Sequence, residues 1–207
     1  QTLHPVAAGS PGEPPPLPFV RQRVFMAGSG RSTDVGGTPV VSQTYLHVRW
    51  TGMWHPRVGS DAFLQHQNDR FFRLQRRSLA GLGGRVEIVH DPRFMAWGGS
   101  AYMLEYEHID VKPGAPDARE TVSHRWTNYL TARVAPSDAF LLQSTTYFQP
   151  RFDDLGDYRV LEVIESLGKV TDLLSFGLTL TVLHDSAPPT GVKGTDLRLS
   201  TSVHVAL

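Results

Sequence analysis

The chain has 207 residues, with 20 Lys plus Arg against 20 Asp plus Glu, so its formal charge is zero. That balance excludes a protein that wraps nucleic acid by bulk charge, and nucleic acid is not an expected partner. The lack of cysteine excludes a disulfide scaffold, a thiol nucleophile and a Cys-bound zinc site.

Residues 1–19 carry six prolines without a period and read as an extended N-terminal segment. The chain opens Gln-Thr-Leu-His without Met, as a mature chain does after signal-peptide removal. Residues 20–207 then form one module of strand-like runs. Short polar or Pro-bearing turns recur at Trp54-His55-Pro56-Arg57, His90-Asp91-Pro92-Arg93, Val134 to Asp138 and Val170-Thr171-Asp172. Looser segments lie between them, at Gly28 to Pro39, Asp69 to Arg77, Val111 to Arg119, Pro150 to Asp157 and Ser186 to Gly194.

The gaps hold ten predicted strands, near 20–28, 40–54, 58–68, 78–90, 93–109, 120–134, 138–149, 158–170, 173–185 and 195–207. Val160 to Leu167 also fits a helical turn or two, but the turn rhythm requires a strand there. Tight turns at one rim and long loops at the other predict an all-β fold: an up-and-down antiparallel transmembrane β-barrel of about ten strands. In that fold 20–28 closes against 195–207, and both termini sit at the periplasmic rim of the bacterial outer membrane. The expected surroundings are outer-membrane lipid and lipopolysaccharide.

Alternation with period two is clearest late in the chain. Leu174, Phe176, Leu178, Leu180 and Val182 alternate with Ser175, Gly177, Thr179 and Thr181. The polar face is rich in Arg, Gln, Ser and Thr and nearly free of Lys; only Lys112, Lys169 and Lys193 occur. A solvated strand face usually carries Lys and Glu, whereas Arg with Glu suits a packed polar interior. Arg49, Arg85, Glu87, Glu105, Glu107, Arg125, Arg133 and Arg198 are therefore the candidates for a polar network filling a narrow lumen. Trp54, Phe94 and Trp97 flank tight turns and fit an interfacial aromatic belt.

Signals for chemistry are weaker. Asp153, Asp154 and Asp157 lack the spacing of a calcium loop, and neither metal nor cofactor is expected. His108 with Asp110, and His184 with Asp185 beside Ser186, place base and carboxylate near the long-loop rim, but without a nucleophile elbow. Arg70, Arg73, Arg76 and Arg77 make the one basic patch, suited to lipid phosphates or a rim network.

The block from Asp61 to Arg85, with its aromatic-Leu-Gln strand and Arg-x-Leu-x-Gly-x-Gly-x-Arg, resembles the salt-induced outer-membrane protein family. So does Pro188 to Leu197 with the alternating strand that follows, and the resemblance covers roughly 40–207. Leu207 stands where many outer-membrane barrels end in an aromatic residue. The resemblance implies an outer-membrane β-barrel without established activity, and brings no catalytic residues. The expected role is structural or protein-interacting, through the loops or the N-terminal segment docking on an envelope partner. The alternatives are a rim-active hydrolase using the His/Asp pairs, and a soluble β-barrel binding an apolar ligand.

Overall fold

A computed structural model describes residues 21–36 and 38–205. The lead-in expected over 1–19, and its docking role, lie outside the described residues. Ten strands follow one another: β1 (Gln22–Val35), β2 (Thr38–His55), β3 (Val58–Asp69), β4 (Leu74–His90), β5 (Phe94–Ile109), β6 (Glu120–Ser137), β7 (Phe140–Pro150), β8 (Tyr158–Lys169), β9 (Leu174–Asp185) and β10 (Thr195–Val205). A single 3₁₀ turn, Arg70–Phe72, precedes β4. Each strand pairs antiparallel with its neighbour in sequence, giving one ten-stranded sheet in the order β1 to β10.

The alternation settles 158–170 as a strand, β8. The expected loop over 28–39 is mostly strand instead. β1 runs to Val35, and Gly36, at φ 61°, begins the reversal into β2. Glycine meets that left-handed geometry without steric cost.

The sheet curls but does not close. Its edges, β1 and β10, pair only with β2 and β9 and stand 13 Å apart. This corrects the expected closed transmembrane barrel. In hydrocarbon every unpaired backbone N–H and C=O costs several kcal/mol, so a strand wall must close on itself to span a bilayer. The outer-membrane barrel role, embedding in outer-membrane lipid or lipopolysaccharide, outer-membrane localisation with periplasmic termini, and a sealed narrow lumen all required that closure.

The two faces differ sharply. The convex face is apolar and exposed, with Leu46, Leu64, Leu82, Leu130, Phe176 and Leu199 among its side chains. The concave face buries polar groups: Asp61, Arg77, Glu105, Arg125, Thr127 and Arg159. Met103 and Glu105, two residues apart on β5, are fully buried side by side with this polar set.

Candidate functional site: the concave polar face

Between the register shifts near their ends, the odd-numbered residues of β2 to β6 point inward, because side chains alternate along each paired strand. Two clusters result.

The first centres on Glu105 of β5. Arg77 on β4 donates to it through Nε at 2.9 Å and also through Nη2. Arg125 on β6 donates through Nε at 3.1 Å, and Arg159 on β8 through Nη1 at 2.7 Å to both oxygens. Arg159 also engages Glu107 at 3.0 Å and Asp185 at 2.8 Å, while Arg125 reaches Asp157 at 3.0 Å. Arg151 holds Asp153 and the second oxygen of Asp157 at 2.5 and 3.2 Å. Three guanidiniums around one buried carboxylate satisfy its lone pairs, which a buried charge requires.

Burial alone would raise the pKa of Glu105. Arg77, Arg159 and Arg125 overcome that and hold it well below the ordinary carboxylate value. Asp185 is likewise lowered, burial being outweighed by Arg159. Arg159 is raised well above its ordinary value, since Glu107, Glu105 and Asp185 outweigh the burial that would discharge it.

The second cluster lies toward the tight turns. Asp61 on β3 is 3% exposed and accepts from Thr51 Oγ1 and Tyr129 OH, each at 2.5 Å. Arg49 on β2 lies between two rings, with Cζ 5.8 Å from Phe63 and 5.4 Å from Tyr129. Its Nη2 donates to Tyr147 OH at 3.2 Å. Arg85 on β4 stacks on Trp97 at 5.2 Å and reaches Tyr129 OH at 3.4 Å. Glycines make the room. A Cβ on Gly81 would sit 2.2 Å from the Phe63 ring, and one on Gly99 would sit 2.4 Å from Tyr129.

The structure places the sequence candidates unequally. Glu105, Glu107 and Arg125 meet in the first cluster, and Arg49 and Arg85 in the second. Glu87 pairs with His90 at 2.9 Å, at the tight-turn rim. Arg133 is exposed there too. Arg198 lies on the edge strand, bound to Asp196 at 2.6 Å and, across the seam, to Asp69 at 3.4 Å. Trp54 and Phe94 are exposed, but Trp97 faces inward under Arg85.

Arg159 and Asp61 were not among the sequence candidates, and Arg77, Asp157 and Asp185 were read there in other roles. Arg77 read as part of the basic patch; its parity with Leu79 and Gly81 on β4 is the signal that turns it inward. Two more arginines of the basic patch are engaged internally, Arg73 with the Thr190 carbonyl at 2.7 Å and Arg76 with Tyr106 OH at 2.9 Å.

The His/Asp pairs do not assemble. His108 lies 3.7 Å from Glu120, and His184 bonds Thr195 Oγ1 at 3.0 Å. Asp185 turns inward to Arg159, and Ser186 Oγ donates to the Gly156 carbonyl at 2.9 Å. Among the described residues, no group of three or more His, Asp or Glu forms a metal site.

No curated protein matches the chain. A family model, described as a protein of unknown function, DUF481, matches residues 27–207, which takes in every strand from β2 to β10 and most of β1. The chain belongs to that family.

Proposed function

We propose that the chain is a non-catalytic binding scaffold, an unclosed sheet that takes up β-structure from a partner across the seam between β1 and β10. The observation that carries this reading is the pair of unpaired edges, 13 Å apart. Natural edge strands are blunted by Lys, Pro or short length. β1 has 14 residues and β10 has 11, and neither contains Lys or Pro.

Spacing and direction select the guest. Strands lie about 4.8 Å apart, so one inserted strand needs a gap of ~10 Å and two need ~14 Å. The observed gap is nearer the second. Nine antiparallel ladders separate β1 from β10, so the two edges run in opposite directions. A single inserted strand would then be parallel to one edge. Two strands keep every pairing antiparallel, and two antiparallel strands form a hairpin. Its faces would extend those of the host: apolar beside Val24, Met26, Leu197 and Leu199, polar beside Ser29, Arg31, Arg198 and Ser200. An apolar partner surface would cover the convex face, whose exposed apolar residues come from every strand but β8.

Amide hydrogen exchange tests the reading, with a synthetic peptide of residues 174–205 as the added hairpin. The seam-facing amides of β1 and β10 are expected to exchange freely in the isolated chain and to slow at least tenfold with the peptide. Slow exchange at both edges without peptide, or no slowing with it, overturns the reading.

A further inference from the structure

We propose that Arg49 and Arg85, on the floor of the concave face, form a binding site for one small oxyanion of the carboxylate or phosphate class. The inference is independent of strand uptake at the seam.

The protein buries arginine in two ways. In the Glu105 cluster each guanidinium is matched to carboxylates: Arg77, Arg125 and Arg159 all contact Glu105, and each has a second acidic partner. Arg49 and Arg85 have none. Among the described residues, neither is ion-paired with a carboxylate, and the Nε of each is buried without a hydrogen-bond partner. A buried donor left without an acceptor costs about 1–3 kcal/mol, more when charged. Two such donors in one cluster are a feature the fold maintains at a cost.

The groups around them do not supply the missing acceptor. Asp61 is the carboxylate of the cluster, and its oxygens already accept from Thr51 and Tyr129. Tyr129 stays protonated, because burial and the Asp61 charge push its phenol well above the ordinary value. Tyr45 is raised as well, chiefly by burial, and provides no phenolate. His47, beside Arg49 on β2, is driven toward its neutral form by burial and by Arg49 itself, so it adds no cation. Among the described residues, neither guanidinium forms an ion pair with Asp61.

The site is also pre-shaped. The Cζ of Arg49 lies over the Phe63 and Tyr129 rings and that of Arg85 over Trp97, while Nη2 of Arg49 and Nη1 of Arg85 donate to tyrosine hydroxyls and each Nε is left for an acceptor. Gly81 and Gly99 are what let Phe63 and Tyr129 lie there. A planar guanidinium presents a fork of N–H donors, and carboxylate and phosphate are the oxyanions that match that fork.

The test follows the arginine Nε–H resonances of the full chain by NMR at constant ionic strength, titrating inorganic phosphate and, separately, acetate. The expected result is that Arg49 and Arg85 shift together along one saturating curve with at least one of the two anions. The tighter anion identifies the class. Arg49→Lys keeps the charge but lacks Nε, and it should weaken the curve read at Arg85 at least tenfold; Arg85→Met should do the same to Arg49. Unperturbed Nε–H signals from Arg125 and Arg159 show that each variant is folded. The proposal is overturned if Arg49 and Arg85 move no more than exposed Arg198 with either anion, if their midpoints differ, or if a folded variant leaves the remaining curve unchanged.

Discussion

Replacing Glu105 by glutamine is expected to destabilise the fold by ~3–5 kcal/mol, the usual result of removing one partner from a buried charged cluster. Three guanidiniums from β4, β6 and β8 then lose their shared anion while remaining buried. At ~2–4 °C per kcal/mol for a chain of this size, the melting temperature should fall by roughly 6–20 °C. The pH response carries an independent signature. The carboxyls of Glu105 and Asp185 have folded pKa values below their unfolded ones. Their stabilisation is therefore complete above the unfolded carboxylate range and is lost as pH falls through the folded values. The unaltered chain should lose stability progressively below about pH 5, and Glu105→Gln should show a shallower loss. A variant that melts within 2 °C of the parent, on the order of 1 kcal/mol or less, would show that the cluster contributes little to the fold.

Adjacent glycines on β4 are expected to respond oppositely to alanine. A Cβ on Gly83 would lie 2.2 Å from the Ser100 carbonyl oxygen and 2.4 Å from Ala101 Cα, both main-chain atoms of β5. No rotamer change relieves that contact, so the two strands must separate, and the cost should be at or above the usual ~1–3 kcal/mol of overpacking. A Cβ on Gly84 meets nothing within 4 Å. Gly84→Ala should be neutral, or stabilising by up to about 1 kcal/mol through the lower entropy of the unfolded chain. Thermal unfolding of the two variants in parallel decides the point, and equal melting temperatures would sink it.

The strands were legible because their signal is local. Period two, with Pro, Gly and Asp in the turns, marks nine of the ten within a few residues; β1 runs seven residues past its expected end. The Arg-rich, Lys-poor polar face was legible for the same reason, and so was the family resemblance. Closure was not legible. Pairing β1 with β10 joins the two ends of the chain, and the alternation of Leu197 and Leu199 with Arg198 reads the same whether or not a partner lies alongside. An even strand number also fits both an open and a closed sheet. Membership of the Glu105 cluster needed three-dimensional parity. Arg159 opposes Asp185 and Gln149 in the ladders, and its reach to Glu105 crosses two intervening strands. Nothing in the local sequence of Tyr158-Arg159-Val160 announces that.

Every backbone ladder joins strands that are consecutive in the chain, so the sheet by itself is a row of hairpins. Linear arrays of that kind can fray from either end, one unit at a time. The side chains of the concave face cut across the row as chords. Arg49 ties β2 to β7, Asp61 ties β3 to β6, and Glu105 ties β5 to β8. All-or-none melting of this protein therefore depends on its polar interior more than on its hydrogen-bonded ladders. With the chords cut, the denaturant transition should broaden and its slope fall, and probes on β1 and β5 should report different midpoints. Charged groups that look like filling for a cavity would then be what makes ten hairpin-linked strands a single cooperative unit.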